Sequence, residues 1–354
     1  ILSISSELRQ MALIIILLKA GLSLDLSDLK KVGRPAVLMS FVPASFEILA
    51  FFLFAPHILG IKPIEAAVMG AVLAAVSPAI VVPRMVRLMD QNYGTDKSIP
   101  QLILAGASCD DIFVIVLFST FSNITQGGNA HLMDFVNIPV SILFGIVLGG
   151  ITGYLLSLFF ETAHAHKHCV RNSMKVIIVL GISFLLMAIE TWMKDIVSIS
   201  GLLAVVSMAC LLKIKSTTFV SKRLSDKFGK LWLAAEVILF VLVGAAVDIR
   251  YTLNAGGAAI LMILVALLFR SVGVAICLIR TRLTKKERLF CILSYLPKAT
   301  VQAAIGSVPL AMGLPCGQIV LSVAVLGILI TAPLGAILID GTYKKLLCQS
   351  KNKK

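Results

Sequence analysis

The sequence predicts an all-α polytopic membrane protein organised as an inverted repeat. Three observations carry this reading. Apolar runs of helical length fill nearly the whole chain, lysine and arginine fall on alternate connections, and prolines interrupt two spans at corresponding places. Of 354 residues, 58% are hydrophobic and only 14% are charged, whereas a soluble domain carries about a quarter charged residues. Each run has roughly 20 residues, enough to cross a ~30 Å hydrocarbon core as a helix. An alternating β-barrel pattern is absent, which leaves helices as the structure that satisfies its own backbone in lipid.

Eleven spans are expected, at roughly 10–26, 35–59, 63–86, 99–122, 136–160, 173–192, 196–214, 231–249, 257–280, 288–312 and 318–340. Connections after odd-numbered spans, with the C-terminal segment, hold 25 lysines and arginines; those after even-numbered spans hold only Lys62, Lys194 and Arg250. Positively charged connections stay on the cytoplasmic side. The expectation is therefore a multi-pass protein of the cell membrane with its C-terminus in the cytoplasm and Ile1 outside. The net charge of +14 is the sum of these connections, which sit against anionic lipid headgroups, so no nucleic-acid partner is expected. The seven cysteines form no CxxC pair; Cys109, Cys210, Cys277 and Cys291 fall inside spans and read as small apolar residues rather than metal ligands.

Spans two to four and nine to eleven look like two copies of one unit. Span three is broken at Ser77-Pro78, with a second proline at Pro83, and span ten at Leu296-Pro297-Lys298-Ala299-Thr300. A mid-helix proline removes a backbone hydrogen bond and clashes with the preceding turn. The topology makes span three run inward and span ten outward. Broken helices at matching places in inverted halves point to a transport site near the membrane centre. Span seven would need an outward-running repeat partner, and nothing before residue 10 supplies one, so at least one further N-terminal helix is expected.

A charge at the bilayer centre costs at least ~2.5–3.5 kcal/mol on insertion scales, which makes the ionisable residues inside spans candidates for function. Asp110 and Asp111 lie mid-way along span four. Helix neighbours are about 100° apart, so one can face an ion while the other meets a protein partner. Two buried carboxylates this close do not both ionise freely, and such a pair holds either a proton or a hard cation on its oxygens. That competition is the chemistry of a cation/proton antiporter. Glu47 and Arg270 sit mid-way along spans two and nine, repeat partners at the same depth. They read as an ion pair, structural or gating, whose joint charge reversal would preserve folding better than either single reversal. The other reading has Arg270 contact Asp110 and release it when a cation binds. Lys298, at the second break, can neutralise the carbonyl end of a half-helix. Lys19 can snorkel from the first span, and Glu236, a turn into span eight, reads as a solvated helix end, with an ion-entry role as the alternative.

The stretch Gly106–Ile112, the Ser77-Pro78-Ala79 break and the motif from Leu296 to Ala304 together resemble the Na+/H+ antiporters of the monovalent cation/proton antiporter superfamily. The likeness is strongest to the NHA group, which includes the exchanger-like proteins of solute carrier family 9B, and it covers essentially the whole chain. The resemblance implies a single exchanger-type transmembrane domain over 1–354 with two crossed discontinuous helices. It implies an ion-translocating core, spans at about 35–122 and 257–340, with the remaining spans forming a dimer scaffold, and elevator-type alternating access in a homodimer. By motif, Asp111 matches the main ion-binding aspartate, Asp110 its partner and Ser77 the polar residue of the first break. Glu47 and Arg270 match a charged pair of the NHA group, and Lys298, with Thr300, matches the compensation of the second break. The implied cargo is Na+ or Li+ against H+, with no cofactor. In electrogenic bacterial relatives the position of Arg270 is a lysine, and an arginine is far harder to deprotonate. A K+/H+ antiporter or a sodium-coupled organic anion carrier of the same fold is the alternative. An intramembrane aspartyl protease is a distant one, since its two aspartates would stand on separate helices.

Overall fold

The structure is a computed structural model that describes residues 5–23, 32–126, 132–165, 171–193, 199–246 and 249–350. Ile1 and, from the charge count, Lys30, Lys31, Lys167, Lys194, Lys351, Lys353 and Lys354 lie outside the described residues. The helices are α1 (Ser5–Ser23), α2 (Arg34–Met39), α3 (Val42–Leu59), α4 (Pro63–Leu73), α5 (Pro78–Asp90), α6 (Ile99–Gln126), α7 (Leu132–Ala165) and α8 (Asn172–Met193). They continue with α9 (Gly201–Lys215), α10 (Thr218–Ala246), α11 (Ile249–Cys277), α12 (Lys285–Ser294), α13 (Thr300–Ile305), α14 (Val308–Ala311) and α15 (Gly317–Leu346).

Among the described residues, eight helices are long and apolar enough to cross a membrane. The other three expected spans fall on shorter pieces. The first lies in α1, whose apolar stretch is Gln10–Lys19. The seventh falls on α9, a helix of 15 residues. The tenth is divided into α12, α13 and α14 by its break.

The chain divides into two compact units. One comprises Ile1–Leu24 and Ser122–Leu242. Its centre is the close pairing of α7 with α9. A Cβ at Gly149 would run into the carbonyl of Ala204, and one at Gly145 would lie 2.7 Å from Ser200 O. These glycines let two backbones approach where lipid supplies no hydrophobic drive between helices. Lys19 Nζ lies 5.6 Å from the Trp232 ring centroid in this unit.

The other unit comprises Asp25–Phe121 and Val243–Lys354 and carries both proline breaks. Here α3 packs on α4 and α11. Helix α4 ends at Leu73 and α5 begins at Pro78, leaving 74–77 unwound; α12 ends at Ser294 and α13 begins at Thr300, leaving 296–299 unwound. The local cause is the same at both. Proline lacks a donor and disfavours the helical region for the residue before it, and Ser77 accordingly sits at φ −84°, ψ 111°. Arg84 Nε on α5 pairs with Asp340 Oδ2 on α15 at 3.1 Å. The chain after α15 hydrogen-bonds the connection after α5, with Gly94 N donating to Cys348 O at 2.9 Å and Ser350 N to Asn92 O at 2.7 Å. These contacts fasten the far end of the half-helix α5.

Candidate ion-binding site

Breaking two helices exposes backbone groups that lipid cannot satisfy, and polar side chains of this unit meet them. Lys298 Nζ donates to Leu73 O at 2.6 Å. Gln302 Nε2 donates to Leu73 O at 3.2 Å and to Ala75 O at 2.9 Å. Arg270 Nη1 donates to Ala74 O. On the donor side, Val76 N donates to Asp110 Oδ2 at 2.9 Å and Ser77 N to Pro297 O at 2.8 Å. Lys298 N donates to Thr331 Oγ1 at 3.0 Å. The two breaks thus meet directly through Ser77 and Pro297, and the carbonyl end of α4 faces two cationic side chains, as the negative end of a helix dipole favours.

The same cations hold carboxylates. Arg270 Nη1 lies 3.0 Å from Glu47 Oε2, and its Nη2 lies 2.9 Å from Asp110 Oδ2. Its Nε donates to Tyr295 O at 2.6 Å, and the Tyr295 ring centroid is 5.5 Å from the guanidinium carbon. Lys298 Nζ is 2.7 Å from Glu47 Oε1. Glu47, Asp110 and Arg270 are fully buried and Lys298 is nearly so. The planar fork of an arginine presents five donors in fixed directions, which is how one side chain serves two carboxylates and two carbonyls. The two sequence readings of Arg270, a partner for Glu47 or a contact for Asp110, are therefore not exclusive: the side chain makes both contacts.

Asp110 and Asp111 lie on α6, both buried. Asp110 Oδ2 is engaged by Arg270 and Val76, whereas its Oδ1 has no hydrogen-bond partner among the described residues. Ser77 Oγ and Thr300 Oγ1, one on each break, are buried in the same condition. Glu236 and Lys19 belong to the other unit. Among the described residues, Cys109, Cys277, Cys291, Cys316 and Cys348 are outside any disulfide.

Three participants were not singled out from sequence. Gln302 stood inside the recognised motif as an amide in an apolar span, and Tyr295 directly precedes the break; both positions offered a signal. Thr331, a hydroxyl in a long apolar helix, offered none, because its role depends on where α15 passes the second break.

A protease dyad needs its aspartates on separate helices facing one water, and here both stand on α6. The chain is 33% identical over 352 residues to sodium/hydrogen exchanger 9B2 of Homo sapiens, covering 97% of this chain and 64% of that protein. It is 32% identical over 359 residues to human sodium/hydrogen exchanger 9B1, covering 97% and 67%. The chain thus spans just under two thirds of the length of the 9B2 relative. The fold is similar to that of the sodium proton antiporter MjNhaP1 from Methanocaldococcus jannaschii at pH 8, with a TM-score of 0.80 at 22% identity over 98% of this chain and 86% of that one. The family described as "Sodium/hydrogen exchanger, transmembrane" matches residues 2–344. These are membrane transporters rather than enzymes, and the chain belongs to the transmembrane sodium/hydrogen exchanger family.

Proposed function

We propose that this chain is a secondary antiporter that exchanges Na+ or Li+ for H+ by alternating access, with cation and proton competing at Asp110 and Asp111. One observation carries the reading. Glu47, Asp110, Arg270 and Lys298 are joined in one buried web of ion pairs, and Asp111 stands buried next to Asp110 on α6. In this reading the exchangeable charge is that of Asp111, which either a proton or one monovalent cation neutralises. An apolar barrier opposes movement of a charged site and tolerates a neutral one. The site loaded with H+ and the site loaded with Na+ are then equally able to cross, while the unloaded site is held back. That rule makes exchange obligatory and sets one cation against one proton, without net charge movement.

Asp111 takes the cargo in this scheme. Asp110, anchored by Arg270 and Val76, sets the local charge, and Ser77 offers a neutral oxygen of the kind a hard cation accepts. Lys298 offsets the carbonyl end of α4 and neutralises Glu47. The unit that carries the breaks is the translocating core, and the other unit supplies the scaffold of a homodimer. All eleven apolar segments are read as crossing the cell membrane, with short α9 and the broken tenth span buried in protein, and the C-terminus is cytoplasmic.

Proteoliposomes test this. Added Na+ or Li+ is expected to collapse an imposed pH gradient at a rate unaffected by a clamped membrane potential. Collapse driven by K+ alone, or a rate that tracks the potential, would refute the cation assignment or the stoichiometry respectively.

A further inference from the structure

Gln302, the third residue of α13, is fully buried. Both groups that its Nε2 meets, Leu73 O and Ala75 O, are acceptors only. The assignment of the amide is therefore dictated: NH2 meets the two carbonyls, and Oε1 is the oxygen left over. Oε1 is buried and receives no hydrogen bond from any described residue. A buried acceptor without a donor calls for an explanation, and a water or an ion is the usual one. Ser77 Oγ, Thr300 Oγ1 and Asp110 Oδ1 share this condition. The connectivity ties Gln302 to Ser77 and Asp110. Ala75, which it grips, is followed by Val76 and Ser77. Val76 N in turn holds Asp110 Oδ2 at 2.9 Å.

We propose that Gln302 is a specificity-determining residue of the exchange site. Its NH2 braces the unwound segment 73–77, which carries Ser77 and fixes Asp110. Its Oε1 supplies a neutral oxygen to the transported monovalent cation, directly or through a water. The assignment rests on the antiport reading above. A lysine at this position would have donors but no oxygen. A carboxylate would offer oxygen but repel the carbonyls and add a second negative charge to the cluster. An amide alone meets two carbonyls and a cation at once without changing the charge count.

Gln302→Met has nearly the same volume and neither donor nor acceptor. Gln302→Asn keeps the amide but shortens its reach by one methylene. Purified, folded full-length chains are reconstituted and the half-maximal Na+ concentration, the saturated flux per folded molecule and the Na+-to-K+ preference are measured. In Gln302→Met the half-maximal Na+ concentration is expected to rise about three- to tenfold, the scale of one neutral hydrogen bond. The Na+-to-K+ preference is expected to narrow and saturated flux to change by less than about twofold, the pattern of lost binding rather than lost turnover. Gln302→Asn is expected to fall between. A purely structural role would lower the yield of folded protein and leave these ratios alone. Unchanged concentration and preference in Gln302→Met, beside a wild type whose exchange needs Asp111, would overturn the Gln302 assignment alone. Failure of both variants to fold would do the same. No Asp111-dependent exchange in the wild type would bring down the parent reading and this one with it.

Discussion

Neutralising Glu47 and then restoring the balance at Lys298 separates the charge web from simple packing. In Glu47→Gln, Arg270 Nη1 loses a carboxylate oxygen at 3.0 Å and Lys298 Nζ loses one at 2.7 Å, all fully or nearly fully buried. Removing one partner of a buried pair destabilises by about 3–5 kcal/mol, and one carboxylate here serves two cations. The substitution also leaves the web of Asp110, Arg270 and Lys298 with more positive than negative charge, which opposes a cation at Asp111, and exchange should be lost. Adding Lys298→Met removes the surplus cation. The carbonyl of Leu73, which Lys298 caps at 2.6 Å, still has Gln302 Nε2 at 3.2 Å. The double variant should therefore melt above Glu47→Gln, with a coupling of roughly 0.5–3 kcal/mol, and should regain part of the Na+-driven proton flux. Thermal unfolding of purified protein and proteoliposome flux are the assays. Strictly additive destabilisation, with no flux regained, would refute both the pairing energy and the charge count. Arg270 is the wrong second partner: its guanidinium also holds Asp110, Ala74 O and Tyr295 O. The Glu47/Arg270 charge reversal that the sequence recommends would leave those groups unmet, and it is expected to fail.

Asp111→Asn is expected to abolish exchange in an inserted, folded protein, because an amide keeps the shape but takes neither charge nor proton. In the wild type, the half-maximal Na+ concentration should fall as pH rises, since cation and proton compete for one site; a value indifferent to pH would count against competition. Gly106→Ala should destabilise by about 1–3 kcal/mol, as overpacking does: its Cβ would run into the Tyr295 hydroxyl and lie 2.9 Å from Met39 Cβ, and an unchanged melting temperature would contradict this packing. At the head of α12, burial pushes the Glu287 carboxyl up, but hydrogen bonds from Lys97 Nζ and Thr284 outweigh it and hold it below the ordinary 4.5. A depressed carboxyl contributes stability that is present above its unfolded value and lost as pH falls through its folded one. Glu287→Gln should therefore lower the melting temperature near neutral pH, and the gap from wild type should close below about 4.5; a gap that persists in acid would refute it.

What could be read from the sequence rests on properties confined to a few neighbouring residues. The length of an apolar run decides whether a helix can span lipid. The missing donor of a proline breaks a helix wherever it stands, so Pro78 and Pro297 announced both unwound segments before any fold was known. The expense of charge in lipid singled out Glu47, Asp110, Asp111, Arg270 and Lys298 as residues that must have partners. The pairing of Glu47 with Arg270 was legible from their shared depth, and it is present at 3.0 Å; that Arg270 holds Asp110 as well, and that Lys298 joins Glu47, was not, because those choices are made across the fold. Arg270 and Glu47 are 223 residues apart, Arg270 and Asp110 160, and Lys298 and Glu47 251. Sequence offered Arg270 two alternatives, and only the packing that brings Ala74, Tyr295, Glu47 and Asp110 within reach of one guanidinium let it satisfy both. Thr331 and Gln302 show the same division. A hydroxyl or an amide in an apolar helix is ambiguous by itself, and its meaning comes from the backbone group that the tertiary structure sets beside it, here Lys298 N for Thr331 and the carbonyls of Leu73 and Ala75 for Gln302.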